Sequence, residues 1–301
     1  MSNAQSNAMR IIDIVKAKNG PTISFEMTRP KSEKGEANIG NVLDKLVALK
    51  PDFFTMTFGA GGGTRDGSLQ MLHRIHTERK QNVFAHLAGY GMSPAHLDET
   101  VDKFKEIGIE NLLVIQGDKP HDESFVAQEG SFNHSSEMIK YLKPRHDMCF
   151  CSSAYPEAHQ EAVNLDTDIG FLKEKIANGA EMIITQYFYD NQFFYDFLAK
   201  CRAEGITVPI IPGVMPIYSV KMMNILASLC GATITEEVNA GLATVDQEEK
   251  GAVNAWGIDF AIKQCIDLID NGVDGLHFYT LNRTSSVTGI LEGLRASGKL
   301  L

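Results

Sequence analysis

The chain has 301 residues, a formal net charge of −10 at neutral pH and five cysteines. Its length is compatible with two domains or with a single α/β barrel. The acidic balance and the scattered basic residues argue against a nucleic-acid binder, and no apolar run approaches the roughly 20 residues of a membrane helix. The cysteines form no CxxC pair, which favours a reduced, cytoplasmic protein.

Residues 1–8 are small and polar and resemble an expression remnant, so we expect the native chain to begin at Met9. We expect the rest, residues 9–301, to form one domain, because no linker or low-complexity segment interrupts it.

Predicted helices and strands alternate along the whole chain. Short runs rich in β-branched and aromatic residues predict strands at Thr22–Met27, Phe53–Phe58, Val83–Leu87, Asn111–Ile115, Met148–Ala154, Met182–Tyr187, Val208–Ile211 and Gly275–Tyr279. Apolar residues at helical spacing predict helices at Ile11–Lys18, Ile39–Leu49, Ser68–Arg79, Pro94–Ile107, Ser136–Leu142, Asp168–Asn178, Gln192–Glu204, Val220–Leu229, Thr233–Leu242, Val253–Asn271 and Ser286–Ala296.

Eight such units predict a parallel sheet closed into a (β/α)8 TIM barrel, with the first helix across its bottom. A doubly wound open sheet is the alternative. Its glycine fingerprint belongs after the first strand, whereas the glycine-rich segment 59–63 follows the second strand and has Thr64 in place of the third glycine.

Polar side chains stand at the carboxyl ends of seven predicted strands, where barrel enzymes carry their chemistry. They are Glu26, Thr57, His86, Gln116, Asp118, Tyr155, His159, Gln186, Tyr279, Asn282 and Arg283. The seventh strand instead ends at the apolar pair Pro212-Gly213. Neither a metal-binding motif nor a serine nucleophile elbow is present, so we expect no metal and no acyl-enzyme chemistry.

Glu26 is the most informative of these residues, because a charge near the end of an apolar strand is costly without a partner or a role. An ion pair with Arg29 is the ordinary explanation, and an acid/base group at the barrel mouth is the alternative. Aromatic residues at the strand ends suit a flat heteroaromatic ligand, although core packing explains each of them singly. These are Phe58, Tyr155, Tyr187 and Tyr279.

The chain resembles the methylenetetrahydrofolate reductase family from about Ile23 to Arg283. The motifs that carry the resemblance are SFE at Ser24–Glu26, TFGA at Thr57–Ala60, HL at His86–Leu87, GD at Gly117–Asp118, AYPEAH at Ala154–His159, ITQ at Ile184–Gln186, IIPG at Ile210–Gly213 and HFYTLNR at His277–Arg283. Their order and spacing match the family, and the last motif is the most specific.

The resemblance implies a flavoenzyme of one-carbon metabolism that reduces 5,10-methylenetetrahydrofolate to 5-methyltetrahydrofolate, with FAD as cofactor and NADH or NADPH as electron donor. Glu26 would protonate the folate nitrogen, with its pKa raised by burial. Asp118 would favour the cationic iminium form of the folate. Gln186 and Tyr279 would contact the substrate, and Arg283 would meet a carboxylate of the folate tail.

The resemblance also implies the flavin contacts. They are Thr57, Phe58, Ala60, His86, Gln116, Gly117, Asp118, Ser135, Tyr155, His159, Asp168 and Lys175. We also expect a homo-oligomer, and neither nucleic acid nor membrane as a partner.

Several positions depart from the family's pattern. Gln116 and Glu174 replace two arginines, and Phe171 replaces a polar residue near the cofactor. Met222 and Leu226 replace a glutamine and a phenylalanine on the substrate side, which leaves the electron donor open between a nicotinamide and a partner protein. Folate- or corrinoid-linked methyl transfer and a non-catalytic flavin- or folate-binding electron-transfer subunit are the alternative functions.

Overall fold

The protein is described by a computed structural model over residues 9–30, 32–57, 65–119 and 124–300. Eight parallel strands form a closed barrel in sequence order, and the last strand pairs with the first. The strands are β1 (Thr22–Met27), β2 (Phe53–Met56), β3 (Val83–Ala88), β4 (Asn111–Ile115), β5 (Cys149–Ala154), β6 (Met182–Tyr187), β7 (Ile210–Val214) and β8 (Gly275–Tyr279). The predicted (β/α)8 barrel is therefore confirmed.

Helices connect the strands and form the outer layer. They are α1 (Ile11–Ala17), α2 (Glu33–Ala48), α3 (Arg65–His73), α4 (Pro94–Glu106), α5 (Ser135–Leu142), α6 (Leu165–Ala177), α7 (Asn191–Ala203), α8 (Val220–Cys230), α9 (Glu236–Ala243), α10 (Ala252–Asp270) and α11 (Thr284–Ala296). The predicted helix Ser68–Arg79 is interrupted, since α3 passes into a π-helical turn at Arg74–Glu78. Within the residues described, no helix is both long enough and apolar enough to cross a membrane.

The seventh strand corrects a sequence-based expectation. It runs from Ile210 to Val214, so Pro212 and Gly213 lie inside the strand rather than beyond its end. The pairing of β6 with β7 is irregular between Ile184 and Tyr187, opposite Pro212. Because proline has no N–H to give to the ladder, the irregularity accommodates it within the sheet.

Helix α1 closes the amino-terminal end of the barrel, as predicted. The backbone N–H of Ile11 donates to Asn111 Oδ1 at the start of β4, 2.8 Å away. Arg10 pairs with Glu181, immediately before β6, at 2.7 Å. Inside the barrel, next to these contacts, lies a cluster of apolar side chains that we call the lower plug. It comprises Ile11, Ile12, Val15, Phe53, Phe84, Leu113, Cys149, Cys151, Met182, Ile184 and Ile211.

A separate apolar cluster packs around α8, α9 and the carboxyl ends of β6 and β8. The cluster includes Tyr187 and Tyr189 from β6 and its following loop, Met223 of α8 and Val238 of α9. The cluster fixes these two helices beside the carboxyl-terminal mouth of the barrel, where the candidate site lies.

Candidate active site

Directly above the lower plug, the barrel interior becomes polar. The Ser24 hydroxyl lies 2.9 Å from Nδ1 of His277, and the Thr55 hydroxyl lies 3.5 Å from its Nε2. Burial lowers the pKa of His86 to about 4. Burial, together with the charge of His86, lowers the pKa of His277 to about 3. Both imidazoles are therefore neutral at physiological pH. We call this polar set the upper layer; it comprises Ser24, Thr55, His86 and His277.

His86 is the unsatisfied member of the upper layer. Its side chain is buried, and Nε2 has no hydrogen-bond partner among the residues that the structure describes. A buried polar atom without a partner is costly, which indicates a place for a ligand or a water. His86 was predicted as a cofactor contact, and its location at the barrel interior is compatible with that role.

Glu26 stands two residues beyond Ser24 on β1, on the same face of the strand. Its register neighbours are Thr55 on β2 and Tyr279 on β8. The side chain is only 9% exposed, and burial raises its pKa to about 8. A carboxyl group with that pKa is mostly protonated at neutral pH and can act as an acid.

The ordinary explanation for Glu26, an ion pair with Arg29, is wrong. One ion pair of Arg29 is with Glu36 on α2, with Nε 3.7 Å from Oε1. Within the described part of the chain, neither a hydrogen bond nor an ion pair reaches the Glu26 carboxylate. Desolvation alone sets its protonation, as expected for an acid kept neutral.

The HFYTLNR segment joins the end of β8 to the end of β1. The Thr280 hydroxyl donates to the Glu26 carbonyl at 2.6 Å, and the Asn282 side chain bonds both backbone groups of Thr28, at 2.7 and 3.0 Å. Asn282 itself adopts a left-handed backbone, with φ of 57°. The motif thereby fixes the backbone that carries the acid, a role that the sequence did not reveal.

Tyr279 forms part of the floor of the mouth. Its hydroxyl donates to the Thr185 carbonyl at 2.8 Å, and its ring lies against Gly213. A Cβ at Gly213 would come within 2.6 Å of that ring, so the IIPG glycine is required by close packing. Tyr279 thus lies beside Glu26 in the strand register, and its role as a substrate contact stays a prediction.

The loop after β5, residues 155–164, brings several predicted cofactor residues together. The rings of Tyr155 and His159 meet edge to face at 4.7 Å, and the His159 N–H donates to Asp168 at 2.9 Å. Burial raises the pKa of Tyr155 to about 12, with added effects from the charges of Asp118 and Asp168. Those two carboxylates therefore lie near the Tyr155 hydroxyl.

Lys175 is the cation of this group. Its ammonium donates to the Ser153 carbonyl at 2.9 Å. Burial lowers its pKa, an effect that Asp168 opposes. Because Lys175 is half-buried and close to the β5 loop, it is suited to pair with an anion at the mouth.

The remaining predicted cofactor residues differ in their exposure. Gln116 and Gly117 are half-buried after β4, Asp118 is exposed, and Ser135 is buried at the start of α5. Thr57 is half-buried, and its N–H donates to the Met27 carbonyl at 3.0 Å. Phe58 and Ala60 lie outside the described residues.

Two of the departures from the family's pattern lie on the exposed side of α6. Phe171 is 46% exposed and stacks on the His134 ring at 6.2 Å, and Glu174 is exposed. Neither residue supplies the cation that an anionic group would require at this end of the mouth.

A shallow pocket, open to solvent, lies between the β5 loop, the end of β6 and the end of α8. Its lining comprises Tyr155, Pro156, Glu157, Ala158, Gln186, Tyr187, Cys230, Gly231 and Ala232. The Cys230 thiol lies 2.9 Å from the Tyr187 hydroxyl, and the Tyr187 N–H donates to Gln186 Oε1 at 3.1 Å. Glu157 and Cys230 were not predicted as site residues, although Cys230 follows Leu226 by one helical turn.

Arg283 lies at the start of α11, exposed, with its guanidinium 4.0 Å above the Tyr218 ring. The ring holds the guanidinium plane in place while leaving its donors open to solvent. Tyr218 is a support that sequence reasoning missed, because only the fold brings the β7 and β8 loops together.

Among the described residues, no group of three or more histidine, cysteine or acidic side chains could hold a metal ion. The fold and the mouth together define a (β/α)8 barrel with a neutral buried carboxyl acid beside an aromatic, hydrogen-bonding rim. A sequence model of the family described as methylenetetrahydrofolate reductase matches residues 10–295. The chain belongs to this family, which confirms the resemblance.

Curated proteins that carry this family's name are similar to the chain. Methylenetetrahydrofolate reductase (NADH) 1 of Arabidopsis thaliana is 34% identical over 95% of this chain and 51% of its own length. Methylenetetrahydrofolate reductase 1 of Schizosaccharomyces pombe is 32% identical over 91% of this chain and 46% of its own. The chain thus spans about half the length of these relatives.

Solved structures share the fold. A Clostridium thermocellum protein that binds two copies of 5-methyl-5,6,7,8-tetrahydrofolic acid superposes with a TM-score of 0.63, at 15% identity, over 97% of this chain and all of that one. Dihydropteroate synthase from Xanthomonas albilineans gives a TM-score of 0.53 at 11% identity, over 94% and 95% of the two chains. At such identities the likeness concerns the barrel alone.

Proposed function

We propose that the protein reduces 5,10-methylenetetrahydrofolate to 5-methyltetrahydrofolate with a bound flavin, FAD, and a nicotinamide electron donor. The observation that carries the proposal is Glu26, a buried carboxyl with a pKa of about 8 and no partner within the described chain, at the mouth of a barrel of this family. A protonated acid at that position suits a reaction in which a ring nitrogen must gain a proton.

The residues of the mouth fit a flavin. His86 Nε2 is buried without a partner among the described residues and could bond a polar edge of the ring system. Tyr155 and His159 offer aromatic surface, and Lys175 offers a cation for the pyrophosphate. Thr57, Gly117, Asp118, Ser135 and Asp168 complete the proposed contacts that lie in the described chain. When bound, the flavin would carry the hydride from donor to folate.

Glu26 would donate its proton to the folate nitrogen that leaves when the five-membered ring opens to an iminium ion. Its low exposure keeps bulk water away from that proton. The exposed carboxylate of Asp118 would stabilise the cationic iminium, and Gln186 would orient the pterin or the nicotinamide through its amide. Tyr279 and Arg283 would contact the substrate, the latter at its carboxylate tail.

The name of the Arabidopsis thaliana relative specifies NADH, which supports NADH as the donor over NADPH or a partner protein. The free state of all five cysteines agrees with the proposed cytoplasmic location. The expected homo-oligomer stays a prediction.

The experiment is a pair of half-reactions on purified protein reconstituted with FAD. We expect NADH to bleach the flavin absorbance anaerobically, and methylenetetrahydrofolate to restore it with formation of methyltetrahydrofolate. A protein that cannot hold FAD would contradict the proposal. Methyl transfer from methyltetrahydrofolate without any flavin would favour the methyl-transfer alternative, and turnover only with an added protein would favour an electron-transfer subunit.

A further inference from the structure

Glu157, in the β5 loop, reaches across the candidate pocket's rim to the connection between α8 and α9. Its carboxylate oxygens accept from the backbone N–H of Thr233, at 3.1 and 3.2 Å. We call residues 231–235 the α8–α9 junction. The two partners are 76 residues apart in sequence, so this contact exists only in the folded barrel.

The local hydrogen bonds of the two helix ends do not include the N–H of Thr233. Helix α8 ends at Gly231, with φ of 77°, and the N–H groups of Gly231 and Ala232 both bond the Ala227 carbonyl. Helix α9 begins with its own cap, in which Val238 N–H donates to Thr235. The N–H of Thr233 lies between these two local arrangements and donates to the Glu157 carboxylate.

A second contact ties the same two segments together. Gln160 of the β5 loop donates to the Ser228 carbonyl at 3.2 Å. Its side chain also packs on Gly231, where an added Cβ would come within 2.8 Å of Gln160 Cγ. The end of α8 is therefore in close contact with the β5 loop, with Glu157 and Gln160 on one side of the contact.

This contact forms one wall of the pocket. Glu157 and Ala232, the neighbour of Thr233, both line the pocket, together with Gln186 and Tyr187. The β5 loop has bonds that do not involve the junction, from Ala158 N–H to the Tyr155 carbonyl and from His159 N–H to Asp168 of α6. Loss of the Glu157 contact should thus release the junction while leaving Tyr155 and His159 in place.

We propose that Glu157 is a positioning residue, which holds the α8–α9 junction against the β5 loop and so fixes the pocket wall that faces the non-flavin substrate. The identity of that substrate as a folate rests on the proposed function. The carboxylate itself would not take part in the chemistry, because its oxygens are engaged by the backbone of the junction.

The test compares Glu157→Ala with Glu157→Gln, which keeps an oxygen acceptor, and with Glu161→Ala, which alters an exposed residue of the same loop. Hydrogen–deuterium exchange is measured over residues 228–238, and binding of 5-methyltetrahydrofolate is measured at equilibrium on the FAD-loaded protein. For Glu157→Ala we expect exchange about tenfold faster, because a local contact that opposes opening is lost. We also expect folate Kd and KM to rise about fivefold, with kcat and bound FAD nearly unchanged.

Glu157→Gln should stay within about twofold of the wild type, and Glu161→Ala should match it. Wild-type exchange in Glu157→Ala would overturn the proposal, as would equal losses in the alanine and glutamine variants. A parallel loss of FAD would show that the loop, not the junction, depends on Glu157. If the wild type itself bound no folate, the proposed function would fail, whereas the exchange data would still decide the structural role of Glu157.

Discussion

The lower plug and the upper layer occupy the same barrel and lie two residues apart on β2 and β3, yet the first is apolar and the second is polar. The plug is apolar, is sealed by α1, and includes the edge-to-face pair of Phe53 and Phe84. The upper layer carries two neutral histidines, one of them with an unbonded nitrogen in the described chain, beneath the protonated Glu26. The comparison teaches that stability and chemistry are divided by depth within one barrel.

The division between stability and chemistry is tested most directly by removing the acidic proton of Glu26 and nothing else. Glu26→Gln keeps the shape of the side chain but cannot protonate the folate. We expect the folate half-reaction to slow by about 10² to 10⁴, the usual contribution of general acid catalysis. Stopped-flow measurement should show flavin reduction by NADH at nearly the wild-type rate.

The control for Glu26→Gln is equilibrium FAD binding, which should not change. Equal slowing of both half-reactions would mean that Glu26 maintains the site rather than donates a proton, and the upper layer would then be structural like the plug.

In the plug, the largest effect should fall on stability. Phe84 is fully buried, and its ring lies 5.8 Å from that of Phe53. Phe84→Ala should lower the free energy of unfolding by about 3 to 5 kcal/mol, because it leaves a cavity. Urea denaturation measures this loss. Activity per folded molecule should remain, since the ring lies below the histidines.

Phe84→Leu is the matched variant, because it keeps most of the volume and should cost less. A variant of Phe84 that folded well but lost folate reduction would contradict the division by depth.

Much of the fold could be predicted from the sequence, because the hydrophobic periodicity of each helix or strand and the turn residues that bound it are local signals. Strands β1, β4, β6 and β8 lie at the predicted residues, each bounded by turn-forming or polar neighbours. β7 was predicted two residues too early because Pro212 is ordinarily a sign that a strand has ended.

The site was less accessible to such reasoning, since its contacts join distant segments. Ser24 and His277 are 253 residues apart, and Cys230 and Tyr187 are 43 apart. The strand-end rule indicated which residues gather at the mouth, but not which pairs touch. It also gave no reason to reject the pairing of Glu26 with Arg29, which depends on side-chain direction in the folded protein.

The pH dependence of stability follows from the upper layer and Glu26. Burial raises the pKa of Glu26 from 4.5 to about 8, so its contribution declines as pH rises from about 4.5 to 8. Burial lowers the pKa of His86 and His277 from 6.5 to about 4 and 3, so their contribution is lost as pH falls below 6.5. From these three groups we expect maximum stability near pH 6.5, measured by urea denaturation across the range.

On the alkaline side, the decline from Glu26 should be roughly 2 kcal/mol between pH 6.5 and 8, at 1.36 kcal/mol per pH unit. Glu26→Gln should remove this decline and make the rise in stability between pH 4.5 and 6.5 steeper, because the opposing slope of Glu26 is lost. A wild-type curve with no decline above pH 6.5 would show that Glu26 is already ionised in the folded protein.

The smallest effect should come from the outer edge of the mouth. Arg283 is exposed above Tyr218, so an ion pair with a folate tail carboxylate would be well solvated. Arg283→Ala should therefore raise the KM for methylenetetrahydrofolate by only about five- to tenfold, with kcat unchanged, in steady-state assays. Arg283→Lys should recover part of this loss, since it keeps the charge without the planar guanidinium. Replacement of Arg295, on the last turn of α11, should leave KM unchanged. A fall in kcat for Arg283→Ala would instead mean that the outer edge of the mouth contributes to the chemical step, which we assign to residues inside the mouth.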